Sequence, residues 1–192
     1  TDIFAKGGKT YQKAQLELFT AAVSTGCGEA SSAVGPFYCP ADHIVYLDLD
    51  FFKELQTKFA APGDFAQAYV IAHEFGHHVQ SLLGIESQVR QQQQAHPSQV
   101  NEYSVRLELQ ADCFAGVWGH AAYAGDQLDP NDLKEGLDAA AAVGDDRLQK
   151  QATGRVNQES WTHGSSAQRE KWFQKGFDSG DPQACDTFSG SV

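Results

Sequence analysis

Val70-Ile71-Ala72-His73-Glu74-Phe75-Gly76-His77-His78-Val79-Gln80 sets His-Glu-x-x-His inside a run that reads as helix, and the spacing itself carries chemistry. At 3.6 residues per turn His73 and His77 project about 40° apart on one face, with Cβ atoms roughly 5 to 6 Å apart, so both imidazoles reach one metal ion. Glu74 sits about 100° further round, beside such an ion and not aimed at it. That suits a general base acting on water better than a third ligand. Asp64 with Gln67 three residues on resembles a capping box, and Gly84 closes the apolar pattern after Leu82 and Leu83. The expected helix has about five or six turns, with the motif at its middle. The rival reading is two surface histidines without a common partner.

A hydrolytic zinc centre needs a third protein ligand and an open position for water. The metzincin continuation would put Gly at position 80 and His at 83, but the chain has Gln80 and Leu83 and no methionine for a Met-turn, which excludes it. A Glu-x-x-x-Asp pattern is present instead as Glu108-Leu109-Gln110-Ala111-Asp112. Its two carboxylates share a helix face, flanked by Val105, Leu109, Cys113 and Val117 on one side and Leu107, Ala111, Phe114 and Trp118 on the other. Burying two carboxylates costs several kcal/mol unless a cation and an imidazole N–H pair with them. Glu108 is therefore the expected third ligand, and Asp112 the acceptor that holds one ligand histidine, His73, in its metal-binding tautomer. The alternative is an amphipathic helix with a solvated acidic edge.

His120 lies about 120° from Glu108 and three turns away, which removes it as a ligand. His78 faces away from His77, and His43 and His96 have no partner at ligand spacing, so all three read as structural. His163 sits in Trp161-Thr162-His163-Gly164-Ser165, just before a helix whose start carries Ser165 and Gln168 at capping-box spacing. The residues alone leave it open whether His163 is catalytic or a plain loop histidine.

The blocks 71–80, 108–116 and 163–173, with Gly35-Pro36-Phe37-Tyr38-Cys39-Pro40 upstream, resemble the bacterial putative neutral zinc metallopeptidase family over nearly the whole chain. More distantly, Glu-x-x-x-Asp followed by Thr-His-x-x-x-x-x-Arg is similar to the prenyl-protein endopeptidases. The resemblance implies a zincin-like domain of the gluzincin type and one Zn²⁺ per chain held by His73, His77 and Glu108. It also implies an oxyanion-stabilising role for His163 and a supporting role for Arg169 near the carboxylates. Phe37 and Tyr38 would lie along the edge strand that pairs with an extended peptide. Members often carry an N-terminal membrane segment, whereas the longest apolar run here is far below the roughly 18 residues a span requires.

The 192 residues, 41% hydrophobic and 11% aromatic, fit one domain spanning 1–192. Starting at Thr1 with no methionine, the chain reads as a processed mature protein or an excised fragment. Four cysteines allow three connectivities. Cys27 and Cys39 lie close in sequence, which leaves Cys113 with Cys185, and two bridges imply a secreted or periplasmic protein, bacterial by its family resemblance. A net charge of −11 and pI near 4.9 exclude the basic footprint that nucleic acid or anionic lipid needs.

The pattern along the chain predicts a helix over 10–24, a loop over 26–32, strands over 36–39 and 43–49, and a helix over 50–59. Beyond the motif helix, the Gln-rich 88–99 reads as loop or irregular helix, and helices follow over 100–123, 130–151 and 166–177. The fold class is mainly α with a small β-sheet. The expected function is a zinc-dependent endopeptidase with Glu74 as general base. A zinc-bearing binding or chaperone-like module with little turnover is the second class, and an intact Glu74 speaks against it because a pure binding site has no need of a base there.

Overall fold

The computed structural model describes residues 4–5, 7–57, 63–129 and 131–192. In chain order its principal elements are strands β1 (Gln15–Phe19), β2 (Ala22–Thr25), β3 (Gly28–Ser31), β4 (Phe37–Cys39) and β5 (Ile44–Asp48). Helices α1 (Leu49–Thr57), α2 (Asp64–Leu83), α3 (Ile85–Ala95), α4 (Val100–Ala124), α5 (Asp132–Ala142), α6 (Asp145–Thr153) and α7 (Ser166–Ser179) follow. Three short 3-10 turns lie at Pro97–Gln99, Gln158–Ser160 and Pro182–Cys185.

The N-terminal part departs from expectation. Where a helix over 10–24 and a loop over 26–32 were predicted, the chain forms β1 and the antiparallel hairpin β2–β3. Gln15-Leu16-Glu17-Leu18 alternates polar and apolar residues, a period of two that β1 realises by pairing in parallel with β5, Leu16 beside Val45 and Leu18 beside Leu47. Ala21, at φ 64°, breaks any helical continuation. The hairpin turn is held by the Thr25 hydroxyl, which accepts the Cys27 N–H at 3.0 Å and donates to the Gly28 carbonyl at 2.8 Å. Antiparallel β4 completes a sheet of order β1-β5-β4, and Cys27–Cys39 ties the hairpin to it.

The remaining expectations hold with local corrections. Gly63, in extended conformation and without a side-chain cap bond, precedes α2, so Asp64 is its first helical residue and no capping box forms there. Gly84 ends α2 in the left-handed region, as its place in the sequence suggests. The Gln-rich stretch is mostly regular helix, with Val89 its one buried side chain. The single helix predicted over 130–151 breaks at Val143 and Gly144, where Gly144 is extended and Ser166 at the start of α7 packs so close that a Cβ would lie 2.3 Å from its nitrogen. Position 130 and the end of the helix predicted over 50–59 lie outside the described residues. The Ser165/Gln168 capping box is present at the start of α7.

Helices α2, α4 and α7 form the central stack. Tyr69, Val70 and Ala72 of α2 pack with Ala115 and Phe173 in one apolar cluster, and Val105, Leu109, Cys113, Val117, Trp172 and Cys185 form a second. Contact between α4 and α7 is backbone to backbone. A Cβ on Gly116 would fall 2.0 Å from the Phe173 carbonyl oxygen, and one on Gly176 2.0 Å from that of Cys113. Gly76 similarly lets α2 cross α4 at Ala111, which brings the motif helix against Glu108 and Asp112. Cys113–Cys185 fastens the tail to α4. Among the described residues no helix is long and apolar enough to cross a membrane.

Candidate metal centre

The crossing of α2 and α4 turns three donor atoms onto one point. His73 Nε2 lies 3.2 Å from His77 Nε2 and 3.1 Å from Glu108 Oε2, and His77 Nε2 lies 3.4 Å from Glu108 Oε1. A tetrahedral zinc ion with bonds near 2.05 Å has ligand atoms about 3.3 to 3.4 Å apart along each edge of the tetrahedron. These separations therefore fit one shared ion. The hydrogen bonds behind the rings agree with that geometry. His73 donates Nδ1–H to Asp112 Oδ1 at 2.8 Å, and His77 donates Nδ1–H to Gln80 Oε1 at 2.9 Å. Both Nε2 atoms are thereby left with lone pairs facing each other and a carboxylate, an arrangement that repels itself unless a cation or a proton sits between.

Electrostatics states the same need. Burial lowers the basicity of His73, but the Asp112 charge and its hydrogen bond, with Glu108, overcome this and lift its pKa to about 10. For His77 the same contest between burial and the Glu108 charge ends with a raised value. Burial pushes the Glu108 carboxyl up, yet His77 and His73 hold it well below the ordinary range. The site is built to hold positive charge between its donors.

Asp112 is wholly buried and saturated. Its Oδ1 accepts from the Tyr69 hydroxyl at 2.6 Å and from His73, while Arg169 grips both oxygens, Nε at 2.8 Å and Nη2 at 2.9 Å. Burial raises this carboxyl, but Arg169 and then His73 outweigh it and bring it to about 2. Arg169, expected near the carboxylates, is thus the counter-charge of Asp112 and also donates to the Val143 carbonyl. Tyr69 lies one turn before His73 on the same face, and extending the helical face of the motif backwards by four residues finds it.

A cavity of about 570 Å³ opens over this centre, lined by His73, Glu74, His77, Glu108 and His163 among others. Glu74 is 7% exposed, and its carboxylate has no hydrogen-bond partner among the described residues. His163 reaches the cavity from the loop before α7 and is half-exposed. Its Nδ1 lies 3.2 Å from Asp145 Oδ1, and Asp145 Oδ2 accepts the backbone N–H groups of Thr162, His163 and Gly164 at 2.8, 2.7 and 3.0 Å. The Asp145 hydrogen bond raises the His163 pKa above its usual value. Asp145 was invisible in the sequence because the helix predicted over 130–151 hid the break that puts it at the start of α6.

Phe37 and Tyr38 line the same cavity on edge strand β4. The Phe37 ring stacks on Tyr46 at 5.0 Å, and the Tyr38 hydroxyl contacts His43 and His78. Of the histidines expected to be structural, His78 is fully buried and its Nε2 donates to the Gln12 carbonyl at 2.6 Å. His120 instead bonds the Phe177 carbonyl, away from the centre.

Compared with known families, residues 1–188 match the family described as putative neutral zinc metallopeptidase. The uncharacterized protein YpfJ of Escherichia coli strain K12 is 58% identical over 190 residues, covering 98% of this chain and 66% of its own length. The uncharacterized protein Rv2575 of Mycobacterium tuberculosis strain H37Rv is 52% identical over 190 residues, covering 93% of this chain and 64% of its own. The chain therefore spans about two thirds of the length of these curated relatives. No solved structure matches it.

Proposed function

Because the chain belongs to the putative neutral zinc metallopeptidase family, we propose that residues 1–192 act as one domain, a zinc-dependent endopeptidase. The observation that carries this reading is the convergence of His73 Nε2, His77 Nε2 and the Glu108 carboxylate at 3.1 to 3.4 Å beneath a cavity that Glu74 also lines. His73, His77 and Glu108 would hold one zinc ion. When bound, zinc supplies Lewis acidity, lowering the pKa of a water toward about 7 and polarising a carbonyl.

Glu74 takes the proton of the attacking water on its carboxylate and delivers it to the departing amine. Asp112 and Gln80 hold the two imidazoles in their metal-binding tautomers. His163 stabilises the developing oxyanion. With Nδ1–H committed to Asp145, its Nε2 carries a hydrogen only when the ring is cationic, which is the state Asp145 favours. An extended peptide adds to the β4 edge, where Phe37 and Tyr38 supply the backbone. Arg169, the one guanidinium among the described lining residues, is bound at Nε and Nη2 by Asp112 and at Nη1 by the Val143 carbonyl. That leaves no free guanidinium or ammonium for a terminal carboxylate among the described lining residues, which favours internal cleavage. Two disulfides support an extracytoplasmic site of action.

The test is digestion of a mixed peptide library by the zinc-loaded chain, read by mass spectrometry. The Glu74→Gln variant should retain zinc and cleave about 10²- to 10⁴-fold more slowly. Equal cleavage by parent and variant would remove Glu74 as the base, and no cleavage by either would favour the binding-module reading. Metal analysis of Glu108→Ala should find the ion lost. Full zinc occupancy there would take Glu108 out of the site.

A further inference from the structure

Behind His77 runs a chain of buried amides, of which Gln80 also borders the cavity. Gln80 and Gln110 are 1% and 6% exposed. Gln80 Oε1 faces His77 Nδ1 at 2.9 Å, and its Nε2 donates to the Leu107 carbonyl at 2.7 Å and to Gln110 Oε1 at 3.1 Å. Gln110 Nε2 donates in turn to the Cys185 carbonyl at 2.9 Å. Both ends of this chain are fixed by backbone carbonyls, which can only accept. Leu107 therefore forces the amino group of Gln80 toward α4 and its oxygen toward His77, and Cys185 forces the amino group of Gln110 toward the tail and its oxygen toward Gln80. The polarity has one solution. It ends with an acceptor at His77 Nδ1, so the hydrogen sits on Nδ1 and the lone pair on Nε2.

Cys185 is the residue bridged to Cys113, so the last acceptor in the chain is held by the disulfide. We infer that Gln80 and Gln110 are positioning residues that couple the Cys113–Cys185 bridge to His77, making zinc affinity depend on a covalent bond on the far side of α4. The inference rests on the proposed zinc site. Hydrogen bonding to the outer nitrogen of a ligand histidine fixes ring orientation and raises ligand basicity, and its loss typically weakens metal binding about 10- to 100-fold.

The experiment is zinc affinity by chelator competition, with the melting temperature of the zinc-free protein checking that each variant folds. Gln80→Met should bind zinc about 10- to 100-fold more weakly than the parent. Gln110→Met and the Cys113→Ala/Cys185→Ala pair should each weaken binding about 10-fold, by the same order of effect. Combining those two changes should add nothing further, because both cut one link of one chain. Cys27→Ala/Cys39→Ala, at the other bridge, should bind like the parent. Parental affinity in Gln80→Met, or losses that add in the combined variant, would overturn the coupling while leaving the zinc site standing. A parent that binds no zinc would overturn the site and the coupling together. If Gln80→Met does not fold, the combination of Gln110→Met with the bridge variants still decides.

Discussion

Asp112 shows how much one residue can be asked to do. It orients His73, accepts from Tyr69 and neutralises Arg169, so Asp112→Asn is expected to fail twice. Zinc affinity should fall about 10- to 100-fold through the disturbed imidazole, and the zinc-free fold should lose about 3 to 5 kcal/mol because the Arg169 charge is left buried without a counter-charge. Chelator competition and urea denaturation measure the two separately, and an unchanged denaturation midpoint would show that the ion pair is not stabilising. His163 allows a pH test. Asp145 raises its pKa above the ordinary 6.5, so the cationic form that the proposed oxyanion contact requires persists above that pH and is lost as pH rises through the raised value. The kcat profile of the zinc-loaded chain should have an alkaline limb above pH 6.5 that moves to lower pH in Asp145→Asn. A limb that stays in place would detach His163 from the chemistry. At this scale the sequence is informative where spacing along one helix does the work, as with His73, Glu74, His77, Glu108 and Asp112. Gln80 reaches His77 from the same helix, but its anchors Leu107 and Gln110, like the partners of Gln110 and Asp145, are brought near only by the packing.

Between elements, the decisive contacts are made by what side chains leave out. Gly76 places α2 against Ala111, and Gly116 and Gly176 let α4 and α7 touch along their backbones. Gly116→Ala puts a methyl group 2.0 Å from the Phe173 carbonyl oxygen, where neither helix can yield without opening the second apolar cluster. The expected cost is about 3 kcal/mol, at the upper end of overpacking, read from chemical denaturation. Gly76→Ala meets the Ala111 carbonyl oxygen at 2.9 Å and should weaken zinc more than stability, since it parts the two helices that carry the proposed ligands. The misread N-terminal segment teaches the converse. Residues 10–24 contain enough apolar positions to suggest a helical face, but the alternation in 15–19 is the pattern that pairing with β5 selects, and a partner 29 positions away (Gln15 beside Ile44) is invisible to a local window.

For the molecule as a whole, the bridges differ in reach. Cys27–Cys39 closes a separation of 12 residues and Cys113–Cys185 one of 72. By loop-closure entropy the first contributes about 3 kcal/mol and the second about 4.5 kcal/mol. Removing the longer bridge should therefore lower the denaturation midpoint more. Peptide mapping without reductant should recover both pairs, and four free thiols would overturn the extracytoplasmic reading with them. The pairing was legible because only two close cysteines exist; the threading of the tail, where Arg106 donates to the Gly190 carbonyl and the Thr187 hydroxyl donates to the Arg106 carbonyl, was not.

That threading also sets an order of events in synthesis. Translation runs from the N-terminus, so His73, His77 and Glu108 leave the ribosome while Cys185 has yet to be made. Until the segment carrying Cys185 arrives and oxidises, the face formed by Val105, Leu109 and Trp172 lacks Cys185 in its cluster, and Gln110 has no carbonyl to anchor it. A chain stopped before residue 181 is a nascent intermediate made permanent, holding every proposed metal ligand yet unfinished. Limited proteolysis of such a truncation should cleave within α7 under conditions that leave the full chain intact.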